Sequence, residues 1–344
     1  METAKVEVIN KEAVTGKREK RRLILRILGI FLVTLLFFSA MSPIPVAYMV
    51  RAAFTFDMAT APEGYEAMAA TVSVAKNLSY PSVFGGNLAD IYRPKEGNEP
   101  FPVVLWVHGG AFVGGGKGDI EIYATALAAK GFAVVCIGYA RAPEARYPTP
   151  VVQTGEAYLW LTEVAADYQL DMSRVALAGD SAGAHIVAQF AAIQSNHVYA
   201  QEMAIAPVVR AESLKATVLF CGPFDVEKIA ENEYVVFQFL MGRTAWAYFG
   251  NKNWAQERTE QATIANHITA DFPPTFLTDG NTASFEDHSR LLEQVLLEWQ
   301  VPVESFYIPD DEGIAIHEYQ FLMDTPAGEA SFVRVTEFLE KYLK

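Results

Sequence analysis

Gly179-Asp180-Ser181-Ala182-Gly183 constrains this chain of 344 residues more than any other segment. It follows the short apolar run Val175-Ala176-Leu177-Ala178 and precedes a helix-like segment, Ala184 to Ile193. A serine between two glycines, after a strand and before a helix, sits on a turn too tight for larger flanking side chains. Such a turn lifts the hydroxyl clear of the sheet edge. The N–H of Ala182 then opens a helix, where it can stabilise a developing oxyanion. The plainer reading is a chance G-x-S-x-G in a loop, and the strand and helix flanks weigh against it.

A second motif lies about seventy residues upstream. Phe101-Pro102-Val103-Val104-Leu105-Trp106-Val107 reads as a buried strand running into His108-Gly109-Gly110-Ala111-Phe112. Glycines directly after a strand let bare amides turn towards a reacting carbonyl, which makes Gly110 and Ala111 candidates to complete an oxyanion hole with Ala182. Gly114-Gly115-Gly116 follows, so a merely flexible turn is the competing reading.

With these residues in place, the chain resembles the α/β-hydrolase superfamily and, within it, the hormone-sensitive-lipase-like esterases. The resemblance covers about residues 70–344. It rests on His108-Gly109-Gly110-Ala111-Phe112, Tyr139-Ala140-Arg141-Ala142-Pro143-Glu144, Gly179-Asp180-Ser181-Ala182-Gly183 and His317. The ending His317-Glu318-Tyr319-Gln320-Phe321 looks closest to membrane-anchored bacterial members. The family usually has a third glycine where this chain has Ala111; alanine keeps the N–H, so the oxyanion hole should survive.

The N-terminus is a different material. Residues 1–26 carry eight Lys/Arg against four Glu, while the whole chain has a net charge of −14, so the remainder carries −18. Ile27–Val50 has no charged residue and exceeds the roughly 20 residues needed to cross a bilayer. The alternative is a cleaved signal peptide, but the candidate site after Ala40 has Phe38 at minus three, a poor fit to the small-x-small rule. We therefore expect a basic cytoplasmic tail over 1–26, a signal anchor over 27–50, a juxtamembrane linker over 51–69 and a catalytic domain over 70–344, facing outward. Val46–Phe56 would continue as an interfacial helix with Arg51 snorkelling, and a chain beginning near residue 60 would keep its activity. The acidic balance excludes a nucleic-acid surface. Cys136 and Cys221, each in an apolar run, read as two buried free thiols.

Past residue 70 the chain alternates strand and helix patterns. Strands are predicted at 71–76, 87–92, 103–107, 133–139, 175–178, 217–221, 275–278 and 303–308. Helices are predicted at 120–130, 151–168, 182–193, 289–300 and 328–343. Continuous apolar strands between amphipathic helices imply an α/β fold, an eight-stranded mostly parallel sheet covered on both faces. Val226–Ile268 interrupts the rhythm with Tyr234, Phe237, Phe239, Trp246, Tyr248, Phe249 and Trp254. It reads as a helical cap over a site, as a small aromatic core of its own, or as both.

Serine at neutral pH needs an imidazole base, itself oriented by a carboxylate. His317 follows the last predicted strand and completes the order Ser…acid…His of these hydrolases. His108 suits bracing the glycine loop, His185 lies on the helix after the serine, and His197, His267 and His288 read as surface or loop residues. The acid departs from the family, which usually has aspartate three residues past Gly280, where this chain has Ala283. If Ser284 caps the next helix, Glu286 and Asp287 fall near the face of Ala283, and the longer Glu286 can fill the gap. Glu286 is the expected acid, with Asp287, Asp279 and Asp225 as rivals. Glu286 could equally just complement a helix N-terminus.

The expectation is a Ser181–His317–Glu286 relay that cleaves an apolar small-molecule ester. No metal or cofactor is expected, because no His/Cys/Asp cluster has ligand spacing. The alternatives are an amide or peptide hydrolase on the same machinery and a degenerate, non-catalytic membrane-surface binding protein.

Overall fold

The strands are β1 (Val72–Ser79), β2 (Leu88–Pro94), β3 (Phe101–Val107), β4 (Ala133–Ile137), β5 (Leu170–Asp180), β6 (Leu214–Phe220), β7 (Thr275–Asp279) and β8 (Val303–Tyr307). They form one sheet in the order β1-β2-β4-β3-β5-β6-β7-β8. β1 and β2 pair antiparallel, as do β2 and β4, and every other neighbour is parallel. All eight predicted strands are present in a computed structural model that describes residues 20–344 apart from 31–32, 35–37, 55–58, 98–99, 232–233 and 254–257.

Their apolar runs explain the topology. Every residue of β3 and of β4 is buried, so both faces of these strands need a covering layer, which parallel crossovers supply as helices. The five predicted helices appear as Glu121–Ala129, Thr149–Tyr168, Ala182–Ser195, Glu286–Glu298 and Pro326–Leu343. The last starts with Pro326 at its first turn, and the Thr325 hydroxyl accepts from Gly328 N at 3.1 Å, a helix start of ordinary chemistry. Under one face Trp106 packs on Tyr123 at 5.3 Å and edge-on to Phe220 at 5.4 Å, with Phe321 closing the cluster. Truncating Trp106 to alanine would cost about 3–5 kcal/mol. Both cysteines are buried free thiols, on or beside strands that are not neighbours in the sheet.

The N-terminal expectations change. The chain divides into two units, Met1–Val46 and Ala47–Lys344. In the first, residues 20–30, 33–34 and 38–41 are helical, and Ile27, Leu28, Ile30, Val33 and Met41 are exposed. Among the described residues no helix is long and apolar enough to cross a membrane; residues 31–32 and 35–37 of the expected span lie outside them. A separate helix, Ile44–Ala53, begins after Ser42-Pro43, because proline has no N–H to continue the preceding turn. Within the second unit, Ala47 and Val50 of this helix are buried, while Tyr48 and Met49 are exposed. In the expected juxtamembrane linker, residues 51–69, Tyr65–Ala70 is helical and Thr60 N donates to Phe321 O at 3.0 Å.

Candidate active site

Ser181 stands between β5 and the helix Ala182–Ser195, with φ +50° and ψ −120°, a conformation that L side chains rarely adopt. Its N–H is fixed to Phe220 O at 2.7 Å. The glycines make this turn possible: a Cβ on Gly183 would run into the backbone of Val107 and His108, and one on Gly179 into Gly183. The residue is 6% exposed, and its neighbours Asp180, Gly110 and His317 line a cavity of about 410 Å³. Phe54, Ile120, Ile316, Phe321 and Leu322 give that cavity mostly apolar walls.

His317 lies on the loop after β8, with Nε2 2.9 Å from Ser181 Oγ. Its other nitrogen, Nδ1, is 2.8 Å from Ser284 Oγ, and Ser284 in turn donates to Asp279 Oδ1. Asp279, at the end of β7, is fully buried and also accepts from Ser289 Oγ at 2.6 Å, Gly280 N at 2.9 Å and Phe285 N at 3.3 Å. One proton arrangement satisfies the row: Ser181 donates to Nε2, Nδ1–H donates to Ser284, and Ser284 donates to Asp279. Burial pushes the Asp279 carboxyl up to about 7 against the pull of Ser284 and Ser289, and burial lowers His317 to about 4.

Glu286 does not take the expected place. Its carboxylate is held by Arg290 one turn on, Nε to Oε1 at 2.7 Å. The reason is local: the helix begins at Glu286 with Phe285 as N-cap, and Ser284 turns inward as a bridge between His317 and Asp279. Glu286 is thereby left on the outer face. Asp287 is exposed beside His288, and Asp225 pairs with Lys228 at 3.1 Å. Of the rivals, only Asp279 joins the row. Sequence reading missed Ser284 as an intermediary; the signal was a hydroxyl one residue past Ala283, between the Asp279-Gly280 turn and the helix.

The glycine loop lies opposite. Gly110 has φ +115° and Ala111 φ +51°, so alanine occupies a left-handed position that glycine would fill without strain. A Cβ on Gly110 would collide with the Gly114 backbone. Ala182 opens the helix directly after Ser181, and Gly110 lines the same cavity as His317.

The residues Tyr139 to Glu144 brace this loop. Tyr139 stacks on His108 at 4.4 Å and donates to His108 O at 3.0 Å, while Arg141 donates to Gly115 O at 2.6 Å. Glu144 pairs with Arg51 at 2.6 Å; Arg51 in turn donates to Val113 O and Ala142 O, each at 2.6 Å. Arg51 therefore does not snorkel: it is pinned against the loop, and Ala53 and Phe54 behind it wall the cavity. His108 accepts the bracing role, its Nδ1 2.7 Å from Gly109 O. His288, read as a surface or loop residue, is buried, with Nδ1 accepting from Asp225 N at 3.1 Å.

The aromatic insert does two jobs. Phe237, on the helix Val235–Phe249, lies 5.3 Å from Phe285 and 6.4 Å edge-on from His317. Tyr248 stacks on Phe112 at 4.0 Å and packs against Phe249 as core. Trp254 lies outside the described residues.

One group of possible metal ligands occurs among the described residues: Cys221, Asp279 and His317, within 4.8 Å of one another. Their ligand atoms already serve the relay or its surroundings; Cys221 Sγ accepts from Glu318 N at 3.3 Å and reaches Gln320 Oε1 at 3.4 Å.

Fold and site geometry define an α/β-hydrolase with a serine–histidine centre. Residues 89–296 match the BD-FAE family, and the chain belongs to it. Acetyl esterase of Salmonella schwarzengrund is 26% identical over 244 residues, covering 67% of this chain and 69% of that protein. Among solved structures, an inhibited form of esterase B from Lactobacillus rhamnosis has a TM-score of 0.70 at 21% identity, covering 90% of this chain and 96% of that one. A bacterial heroin esterase has a TM-score of 0.64 at 22% identity, over 81% and 89%. The chain is an α/β-hydrolase of the carboxylic-ester hydrolase class.

Proposed function

We propose that Ser181 is the nucleophile of this esterase and His317 its base, oriented by Asp279 through Ser284. The observation that carries this is the His317 ring, held between two hydroxyls at 2.9 and 2.8 Å, with the second hydroxyl on a buried carboxylate. As Ser181 Oγ attacks the ester carbonyl carbon, its proton passes to Nε2. The carbonyl oxygen becomes anionic against the amides of Gly110, Ala111 and Ala182. The imidazolium then protonates the departing alcohol, and a water activated by the same nitrogen releases the acid. The name of the Salmonella relatives supports an ester with a short acyl group, and the largely apolar cavity supports an apolar ester.

The apolar stretch beginning at Ile27 serves, on this reading, to hold the protein at a membrane, with the basic end inside and residues 47–344 outside. The exposed side chains of Ile27, Leu28, Ile30, Val33, Phe38 and Met41 support it. Labelling by a fluorophosphonate tests the site: labelling of the full chain that disappears in Ser181→Ala is the expected result, and a folded protein that never labels refutes it. Membrane partition and digestion by external protease test the location.

A further inference from the structure

Two acids in the sequence motifs have no place in the relay: Asp180, before the serine, and Glu318, directly after the histidine. The structure brings them together behind the reacting atoms. Asp180 is 3% exposed; its Oδ1 accepts from Trp106 Nε1 at 2.7 Å and its Oδ2 from Gly109 N at 2.7 Å. It thus joins the serine turn to the first amide of the glycine loop. Glu318 Oε1 lies 3.8 Å from His317 Nε2. The two carboxyl groups meet at the α-carbon of Gly109, where an added Cβ would strike both. Glu318 holds this position with φ +61°, a left-handed conformation uncommon for a long side chain and typical of constrained sites.

Two negative charges here, beside a carbonyl oxygen that becomes anionic, would oppose the reaction. Asp180 is buried and Glu318 is a quarter exposed at the cavity wall, and two carboxyl groups this close hold one proton between them. The titratable groups facing Glu318 are Asp180, Asp119, Asp279, His317, Cys221 and Tyr139. Burial and the neighbouring acids push Glu318 well above the usual carboxylate range. Asp180 rises only to about 6, burial being opposed by Trp106 and Gly109. The proton therefore belongs to Glu318.

We propose that Glu318 is a positioning residue, a neutral acid whose single hydrogen bond to the Asp180 carboxylate ties the His317 turn to the Ser181 turn and the glycine loop. The three segments that must converge on one carbonyl come from β3, β5 and the loop after β8, and this proton is common to all of them. Loss of the proton at high pH places a second negative charge 3.8 Å from Nε2. That charge draws the imidazolium away from the leaving group and repels the oxyanion. The proposal rests on the Ser181–His317 reading.

The test measures kcat and KM of the full chain on a p-nitrophenyl ester from about pH 6 to about pH 10. Wild type is compared with Glu318→Ala and Glu318→Gln, with thermal unfolding as a check on folding. Glu318→Ala is expected to lose at least about tenfold in kcat with little change in KM. Glu318→Gln, which keeps a donor to Asp180 and cannot ionise, should restore most of that loss and remove the alkaline decline shown by wild type. An unchanged kcat in a folded Glu318→Ala overturns the proposal, as does a Glu318→Gln profile that declines like wild type. If Glu318→Ala does not fold, the Glu318→Gln profile alone decides. Fluorophosphonate labelling that survives Ser181→Ala would overturn the underlying relay and leaves the two failures distinct.

Discussion

Neutralising Asp279 should slow ester hydrolysis by about a hundredfold, a smaller loss than a carboxylate in direct contact with the histidine would give. The difference comes from Ser284. Two successive hydrogen bonds put the carboxylate roughly 5 Å from the ring nitrogen. At that separation, with an effective dielectric near 20, the attraction for the imidazolium formed during attack is about 3 kcal/mol. That is about two orders of magnitude in rate. Asp279→Asn keeps the shape of the site and removes this attraction. Ser284→Ala breaks the same row at its middle, and losing a hydrogen bond to a charged network costs about 1.5–3 kcal/mol, or roughly tenfold to a hundredfold. The two substitutions act on one path, so the double variant should be little slower than Asp279→Asn alone. Glu286→Gln should be nearly neutral, because its carboxylate contacts Arg290 at the surface. The assay is kcat on p-nitrophenyl acetate, with circular dichroism to confirm folding. A loss of orders of magnitude in Glu286→Gln, or full activity in Asp279→Asn, would refute the reasoning.

Four further outcomes follow from the same geometry. Asp279 must be ionised to act, so kcat/KM of wild type should fall as pH drops through about 7, and in Asp279→Asn the acid limb should move towards the His317 value of about 4. Because the folded state raises this aspartate, its contribution to stability is present below about pH 4 and lost as pH rises to about 7; chemical denaturation of Asp279→Asn should lack that slope. Arg51→Ala, or a chain beginning near residue 60, should lose most activity while staying folded, since Val113 and Ala142 lose their donor and the cavity loses Ala53 and Phe54; turnover against thermal unfolding checks it. Phe237→Ala should change the preference among acyl chain lengths more than it changes turnover on acetate, read from a series of p-nitrophenyl esters.

The central strands and the mostly parallel sheet are legible because β3, β4 and the buried ends of β5 and β6 are continuous apolar runs, and such runs have one stable arrangement, a sheet covered on both faces. Ser181 and the glycine loop are legible for a related reason: tight turns after strands restrict residue type, so chemistry and conformation leave the same mark at Gly110, Gly179 and Gly183. His317 follows from chain order. The acid was not legible. Ser284, Glu286 and Asp287 all lie within reach of one turn, and a shift of a single residue in the helix start decides which of them faces the histidine. That start depends on how Asp279, Ser284 and Ser289 share hydrogen bonds in a buried space, which no local pattern encodes. Arg51 and Glu144, separated by 93 positions, and Asp180 and Glu318, placed together only by the crossing of three loops, belong to the same category. Local sequence sets backbone conformation and burial. Which side chains meet across the sheet edge is set by the packed fold, because each depends on partners distant in the chain.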